Sequence, residues 1–424
     1  MRQKMVDSKL LRPKGQMQYI FGNAFLNVTC RMVVIALGLI GSVMTARGLG
    51  AEGRGIYFSC ITIAGVIAQF GTFGLTTSNT YIASKNPSNT WPLLVNSIGL
   101  AAVTLFLLTA LLLIWGDSFS YRLGLTTPYL WLVTVLAPSL LLFNLGACLL
   151  VANERFAAFN LWSIINALLV VAGMAVAIIF WRDPFSFVGV TCVAAVVSTF
   201  AVVVIQRPKG AYLAFSQTLF LEGITMSTRA YLALVFGYVI PRTGIFFITQ
   251  SHGSHELGVY SVAVQLFDVI ALLPASIAMV LFPRLLKTKE NQWDTTKIVL
   301  GVGVGIVALL ALIFFLVGQW LINSLFGSEF TGSFPILLAM LPGTVFYTVV
   351  SIISQYIVSK GFPLSLVFLW ALGFVTVCVM AAYLVPSLGG IGAALSQTCG
   401  LFLISGGSII LALRRTQLPS HANG

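Results

Sequence analysis

Four ionisable side chains fall where an apolar chain has the least reason to hold them. Arg31 interrupts the run FLNVTCRMVVIALGLI (25–40), with no acidic residue within 15 positions on either side, and Arg229, Arg242 and Asp268 lie in other apolar stretches. Charge inside a bilayer is costly enough to mark a substrate or ion pathway. Three cations against one anion suit an anionic ligand, and a guanidinium donates two parallel hydrogen bonds to phosphate oxygens. Arg31 sits about 13 residues into its stretch, roughly 20 Å by helix rise, too deep for easy snorkelling. Arg229 lies near the start of its span and can snorkel, whereas Arg242 follows Pro241 at greater depth. Two roles are open for Arg31: a phosphate ligand in a wet cavity, or the ion-pair partner of Asp268 across the molecule. Asp268 is also the natural carboxylate for coupling to a proton or sodium ion.

Polar residues accompany these charges at helical spacing. Asn23, Asn27, Arg31, Gly38, Ser42 and Thr45 cluster within about 125° when placed at 100° per residue. Gly65, Gln69, Thr72, Thr76 and Asn79 share a face, as do Ser261, Gln265 and Asp268, and as do Thr344, Thr348, Ser351, Gln355 and Ser359. One such stripe is ordinary hydrogen bonding between membrane helices. Four, two in each half, predict a hydrated central cavity. Its candidate ligands are Arg31, Asn27, Asn23, Gln69, Thr72, Arg242, Gln265, Asp268 and Gln355. No catalytic pair and no metal site is expected. All six cysteines lie in apolar segments, and the three histidines are His252, His255 and His421. No cofactor is implied.

The elements that must position these residues follow from composition. Of 424 residues, 58% are hydrophobic and 8% charged, with mean hydropathy +0.99; this is an all-α, polytopic membrane protein. Twelve helices are predicted at 18–46, 55–82, 92–115, 128–152, 157–181, 185–205, 224–250, 257–282, 297–318, 334–358, 363–385 and 390–413. Pro138, Pro241, Pro274 and Pro342 interrupt the fourth, seventh, eighth and tenth. The net charge of +12 does not imply nucleic acid. With the N-terminus inside, nearly all Lys and Arg outside the spans fall on the cytoplasmic side, as the positive-inside rule requires. Arg47, Arg54, Arg122 and Arg182 fall outside, the first two as loop charges able to guide a leaving anion. Both termini are then cytoplasmic, and the first span reads as a retained helix rather than a cleaved signal.

The segment LGAEGRGIYFSC (49–60) recurs as HGSHELGVYSVA (252–263), pairing Gly50 with Gly253, Gly55 with Gly258 and Tyr57 with Tyr260 at an offset of 203. A weaker echo pairs FVGVTCVAA (187–195) with LGGIGAALS (388–396). Six helices return the chain to its starting side, so the halves are parallel repeats, 1–206 and 207–424, with substrate expected near the midplane between them.

The segments ARGLGAEGRGIYFS (46–59), HELGVYSVAVQLFDVIALLPASIAMVLFPRL (255–285) and LFGSEFTGSFPILLAMLPG (325–343) resemble polysaccharide transporters of the multidrug/oligosaccharidyl-lipid/polysaccharide (MOP) exporter superfamily, specifically its Wzx-type flippases. The resemblance extends over the whole chain. It implies two six-helix lobes around a central cavity, working by alternating access. It also implies transfer of an undecaprenyl-diphosphate-linked oligosaccharide, an O-antigen or related repeat unit, to the periplasmic leaflet of a bacterial inner membrane. Expected partners are the lipid-linked substrate, membrane lipids, and a polysaccharide polymerase with its chain-length regulator.

Three other readings stand beside it. A multidrug exporter of the same superfamily favours carboxylates in the first lobe, and none is predicted there at depth. A lipid II flippase usually has additional spans. A membrane-bound polymerase or glycosyltransferase needs clustered acids or a sizeable outer loop, whereas the acids here are scattered singly.

Overall fold

The computed structural model describes residues 13–417 except 209, 211, 213, 288–290 and 362; side chains are described from residue 29, apart from 229, 230, 287, 416 and 417. Eleven α-helices make up these residues: α1 Pro13–Gly71, α2 Leu75–Lys85, α3 Thr90–Leu123, α4 Thr127–Ala152, α5 Phe156–Phe180, α6 Pro184–Gln206, α7 Gln217–Val239, α8 Thr243–Lys287, α9 Gln292–Leu325, α10 Ser333–Ser359 and α11 Leu364–Gln417. In hydrocarbon, backbone groups must be satisfied within the segment, which leaves helices as the available form for these sequences.

Three helices double back at one glycine each. Gly50 (φ 68°), Gly253 (φ 76°) and Gly389 (φ 54°) adopt left-handed φ values that an L side chain rarely tolerates. The reversal in α1 is visible in its contacts. Arg54 Nη1 donates to the Ser42 carbonyl and to Thr45 Oγ1, twelve and nine residues earlier; in a straight helix those positions would be about 18 and 14 Å away. In α11, a Cβ at Gly400 or Gly407 would overlap Val377 or Leu369 on the opposing arm. In α8, a Cβ at Gly244 would stand 2.9 Å from the Tyr260 hydroxyl.

Among the described residues nine stretches are long and apolar enough to cross a membrane, and the three that contain these glycines, reversing there, are counted as two passages each. The result is twelve passages in two six-helix lobes around a central cavity, a multi-pass membrane protein. The outer surface carries the apolar side chains that lipid requires, including Phe106, Leu113, Ile179, Phe200 and Phe368, each at least 70% exposed.

The predicted gaps at 250–257 and 385–390 close to the reversals at Gly253 and Gly389, and two boundaries in the first half change as well. The gap between the first two spans is a one-residue reversal, so Arg54 belongs to a helix and is buried. The predicted span 55–82 breaks at 72–74, where Phe73 (φ 47°) and Gly74 (φ 77°) separate α1 from α2. The prolines behave less uniformly than expected. Pro138, Pro274 and Pro342 lie inside helices, while Pro241 opens a 3₁₀ turn, Ile240–Arg242, between α7 and α8.

Counting passages places both described ends of the chain and the 359–364 turn at one end of the bundle, and the glycine hairpins at the other. A buried cluster links the lobes at the hairpin end, joining Ala46 and Ala51 of α1 to Tyr260, Phe267, Phe326 and Phe330.

Candidate functional site

Gly55 and Gly258, equivalent in the repeat, form the tightest crossing between the lobes. A Cβ on Gly55 would run into the Ser254 carbonyl, and one on Gly258 would run into that of Ala51. Positions 51 and 254 are themselves equivalent at the same offset of 203, so the two contacts are related by the pseudo-twofold axis. Further bonds tie this end. Arg47 Nε donates to the Leu325 carbonyl at 2.7 Å, and Glu329 Oε1 accepts from Ala51 N at 2.8 Å. Glu256 Oε1 accepts from Gly390 N at 3.0 Å. Ala51 and Gly390 each begin the arm after a reversal, where free N–H groups and the helix dipole favour a carboxylate.

On the terminus side of this seal lies a cavity of about 730 Å³. Gln69 is its lining residue from the first half; the others come from α7 to α11, among them Tyr238, Arg242, Asp268, Tyr347, Ser351, Ser354, Gln355 and Trp370. Its wall runs to Met279, which is 62% exposed, so the cavity reaches the surface toward the terminus end. Pro241 lacks an N–H, and the 3₁₀ turn it opens sets Arg242 on the cavity wall. There Arg242 Nη1 donates to the Tyr238 carbonyl at 2.9 Å, and its guanidinium carbon stands 3.9 Å from the centre of the Tyr238 ring. Gly65 leaves room for the Tyr238 hydroxyl; a Cβ there would collide with it. Asp268 is half-buried, and its carboxylate has no hydrogen-bond or ion-pair partner among the described residues. The Ser354 hydroxyl is sealed from solvent and unpartnered.

Of the residues singled out from sequence, Gln69, Arg242, Asp268 and Gln355 come together in this cavity. Gln265 lines a second, smaller cavity beside Arg54. Thr72 turns away: it is buried, and its hydroxyl donates to the Gln69 carbonyl at 2.8 Å. The break at 73–74 ends the stripe that placed it on the cavity face. Thr344 and Thr348 are likewise buried and bond to carbonyls of their own helix. Arg31 is exposed and forms no ion pair among the described residues, so the pairing with Asp268 is not made. It does not line the 730 Å³ cavity either. Residues 31, 32 and 33 are all exposed; at 100° per residue they span about 200° of the helix circumference, so the first span faces outward at this turn. Asn23, Asn27 and Arg229 lie outside the residues whose side chains are described. No group of three or more His, Cys, Asp or Glu able to hold a metal occurs among the described residues.

Arg54 is the residue that sequence reading missed. It is 4% exposed and bridges α1 to Ser261 of α8, with Nε to Oγ at 2.7 Å. The signal was present in the repeat: the glycine hairpin at 50 places residue 54 in the first turn of a helix, at the lobe crossing.

Residues 20–289 match the profile of a family described as polysaccharide biosynthesis protein. No curated protein matches the sequence. Among solved structures, the chain is similar to the lipid II flippase MurJ in an inward closed conformation, with TM-score 0.77 at 14% identity over 93% of this chain and 88% of that one. It is also similar to a multidrug resistance MATE family transporter of the MOP superfamily. The inward-facing form gives TM-score 0.71 at 14% identity, covering 94% and 100% of the two chains. The outward-facing form gives 0.65 at 14% identity, covering 94% and 96%. These are likenesses of fold.

Proposed function

The chain belongs to the polysaccharide biosynthesis protein family, whose fold is that of flippases and transporters, and we propose that it flips an undecaprenyl-diphosphate-linked oligosaccharide across a bacterial inner membrane. Loading occurs from the cytoplasmic leaflet and release into the periplasmic leaflet, with both termini cytoplasmic. The observation that carries this reading is the lining of the 730 Å³ cavity: one guanidinium, Arg242, with the aromatic residues Tyr238, Tyr347 and Trp370 and the amides of Gln69 and Gln355. Sugar rings present apolar faces for stacking and hydroxyls for amides, while the diphosphate needs a cation. The polyprenyl tail is already at home in lipid and requires only a side opening. The exposed turn at residues 31–33 of the first span borders one, with Arg31 on it as the first contact for the diphosphate. Asp268 stands beside Arg242 as the candidate for ion coupling. The polymerase and chain-length regulator of the same polysaccharide are the proposed partners.

Complementation of a flippase-deficient strain, scored for surface polysaccharide and for protein in the membrane, tests this. Arg242→Gln and Trp370→Ala are expected to stop export with protein levels preserved. Full export by both variants would remove the cavity from the mechanism. Accumulation of a drug, rather than loss of polysaccharide, would support the multidrug reading instead. Orientation is tested separately with single cysteines: Asp117→Cys should label from outside intact cells, and Lys85→Cys should be protected.

A further inference from the structure

Arg54 carries a positive charge that no carboxylate answers. Its four hydrogen bonds go to neutral oxygens: Nε to Ser261 Oγ at 2.7 Å, Nη1 to Thr45 Oγ1 at 2.9 Å and to the Ser42 carbonyl, and Nη2 to Ser42 Oγ at 2.9 Å. The guanidinium carbon also lies 5.4 and 5.9 Å from the ring centres of Phe326 and Phe330. The ion pairs among the described residues, His255–Glu329 and Lys297–Asp294, do not involve it. A guanidinium has five N–H donors, so one on Nη2 is left over. Hydrogen bonds to neutral groups satisfy donors but leave a buried charge uncompensated, which favours an arriving anion.

Space for that anion adjoins it. Arg54 lines a cavity of about 310 Å³ that shares no lining residue with the Arg242 cavity. Its polar side chains, Ser42, Thr45, Tyr57 and Gln265, accompany Arg54, and the remaining wall is apolar, running along Gly38 and Gly41 of the first span. Gly38 is exposed, and a Cβ there would meet nothing within 4 Å. The cleft is therefore open along the first span and ends in a guanidinium. That form complements a hydrocarbon chain with a phosphate at one end, rather than a bare ion or a sugar.

We propose that this first-lobe cleft is a second binding site, for a phosphate-bearing lipid. Phosphate oxygens meet Arg54 Nη2 and the Ser42 hydroxyl, and the hydrocarbon chain lies over Gly38 and Gly41. The site does not depend on what the Arg242 cavity carries. It gives Arg54 a ligand at the lobe crossing, so lipid binding and the closed hairpin end involve the same side chain.

Native mass spectrometry of the purified full chain tests the assignment with phosphatidic acid, with diacylglycerol as the phosphate-free control, and with inorganic phosphate. Wild type and Arg242→Gln should retain phosphatidic acid and not diacylglycerol. Arg54→Gln should lose at least tenfold in apparent affinity. Gly38→Phe, which fills the apolar limb and touches none of the Arg54 bonds, should lose phosphatidic acid to a similar extent; it decides the matter if Arg54→Gln does not fold. Unchanged binding in Gly38→Phe, or loss confined to Arg242→Gln, would overturn the proposal. Inorganic phosphate binding as tightly as phosphatidic acid, and unaffected by Gly38→Phe, would mean an ion site and overturn the lipid assignment.

Discussion

The two ends of the bundle close by different means. At the hairpin end the lobes meet backbone to backbone, with Gly55 against the Ser254 carbonyl and Gly258 against that of Ala51, and with Glu329 of the second half capping Ala51 of the first. At the terminus end the contacts between the halves lie on the α7 flank. Tyr231 donates to the Phe70 carbonyl at 2.6 Å, and Asn96 exchanges two hydrogen bonds with the backbone of Ser216. The α1 flank at that end is open beside exposed residues 31–33. The glycine crossing sits beside the buried cluster of Tyr260, Phe267, Phe326 and Phe330, so parting the lobes at this end also has to open that packing.

The largest expected effect comes from breaking the seal. One methyl group suffices, because the obstacle is a carbonyl of the opposing helix rather than a side chain that can rotate away. Gly55→Ala and Gly258→Ala should each nearly abolish export with protein still in the membrane. In a background lacking the six native cysteines, Ala46→Cys, at 1% exposure, should become reactive to an impermeant thiol reagent when either substitution is added. Normal export with Ala46→Cys still protected would show that the crossing is not the gate.

Second in size is the cavity's charge. Removing one member of a hydrogen-bonded, desolvated charge pair costs about 2–5 kcal/mol, or roughly 30-fold and more in affinity. Arg242→Gln should reduce export on that scale without altering the labelling of Ala46→Cys, and Arg242→Lys should retain part, since charge survives but the planar fork is lost. Arg31→Ala should fall short of Arg242→Gln because Arg31 is exposed and outside the cavity lining. An Arg31→Ala defect larger than that of Arg242→Gln would move the phosphate site to the first span.

This ordering departs from the one the sequence suggests, for a physical reason. The twelve passages were legible because apolar length is a strong signal, and the repeat was legible because Gly50 and Gly253 hold left-handed φ values while Gly55 and Gly258 leave no room for a Cβ. Gln69, Asp268 and Gln355 were legible as members of polar stripes at helical spacing, and Arg242 as a charge in an apolar stretch. Depth along a span, however, says nothing about direction: Arg31 lies on an exposed turn of its helix and not on the wall of the 730 Å³ cavity. Arg54 was taken for a loop charge because a reversal needing one residue looks, in sequence, like the polar gap between two spans. Thr72 was misplaced because a stripe extrapolated at 100° per residue cannot anticipate the left-handed pair at 73–74.

A smaller effect tests the carboxylate caps. An anion at a helix N-terminus contributes about 0.3–1 kcal/mol, and a glutamine at position 329 still offers an oxygen to Ala51 N–H. Glu329→Gln should therefore raise the labelling of Ala46→Cys only a few-fold and leave export near normal, more so at high salt. Labelling as strong as that of Gly258→Ala would mean that charge, rather than the glycine contact, holds the hairpin end.

The smallest effect on the empty protein is expected at Ser354, and it is the most specific for the cavity. Ser354 lines the cavity, and its hydroxyl, sealed from solvent in the empty protein, has no partner, so replacing it by hydrogen removes no internal bond. A buried hydroxyl left unpaired carries a desolvation penalty of about 1–3 kcal/mol; deleting it should leave thermal stability unchanged or slightly raised. If a sugar hydroxyl supplies the missing partner, the same substitution should weaken cargo binding by about one hydrogen bond, 0.5–1.5 kcal/mol or roughly two- to tenfold. Ser354→Ala should thus combine unchanged melting with a modest loss of export under limiting substrate, recovered when the lipid-linked sugar is in excess. Loss of stability would show that the hydroxyl has an internal partner in the folded protein, and unaltered export at limiting substrate would place the sugar elsewhere in the cavity.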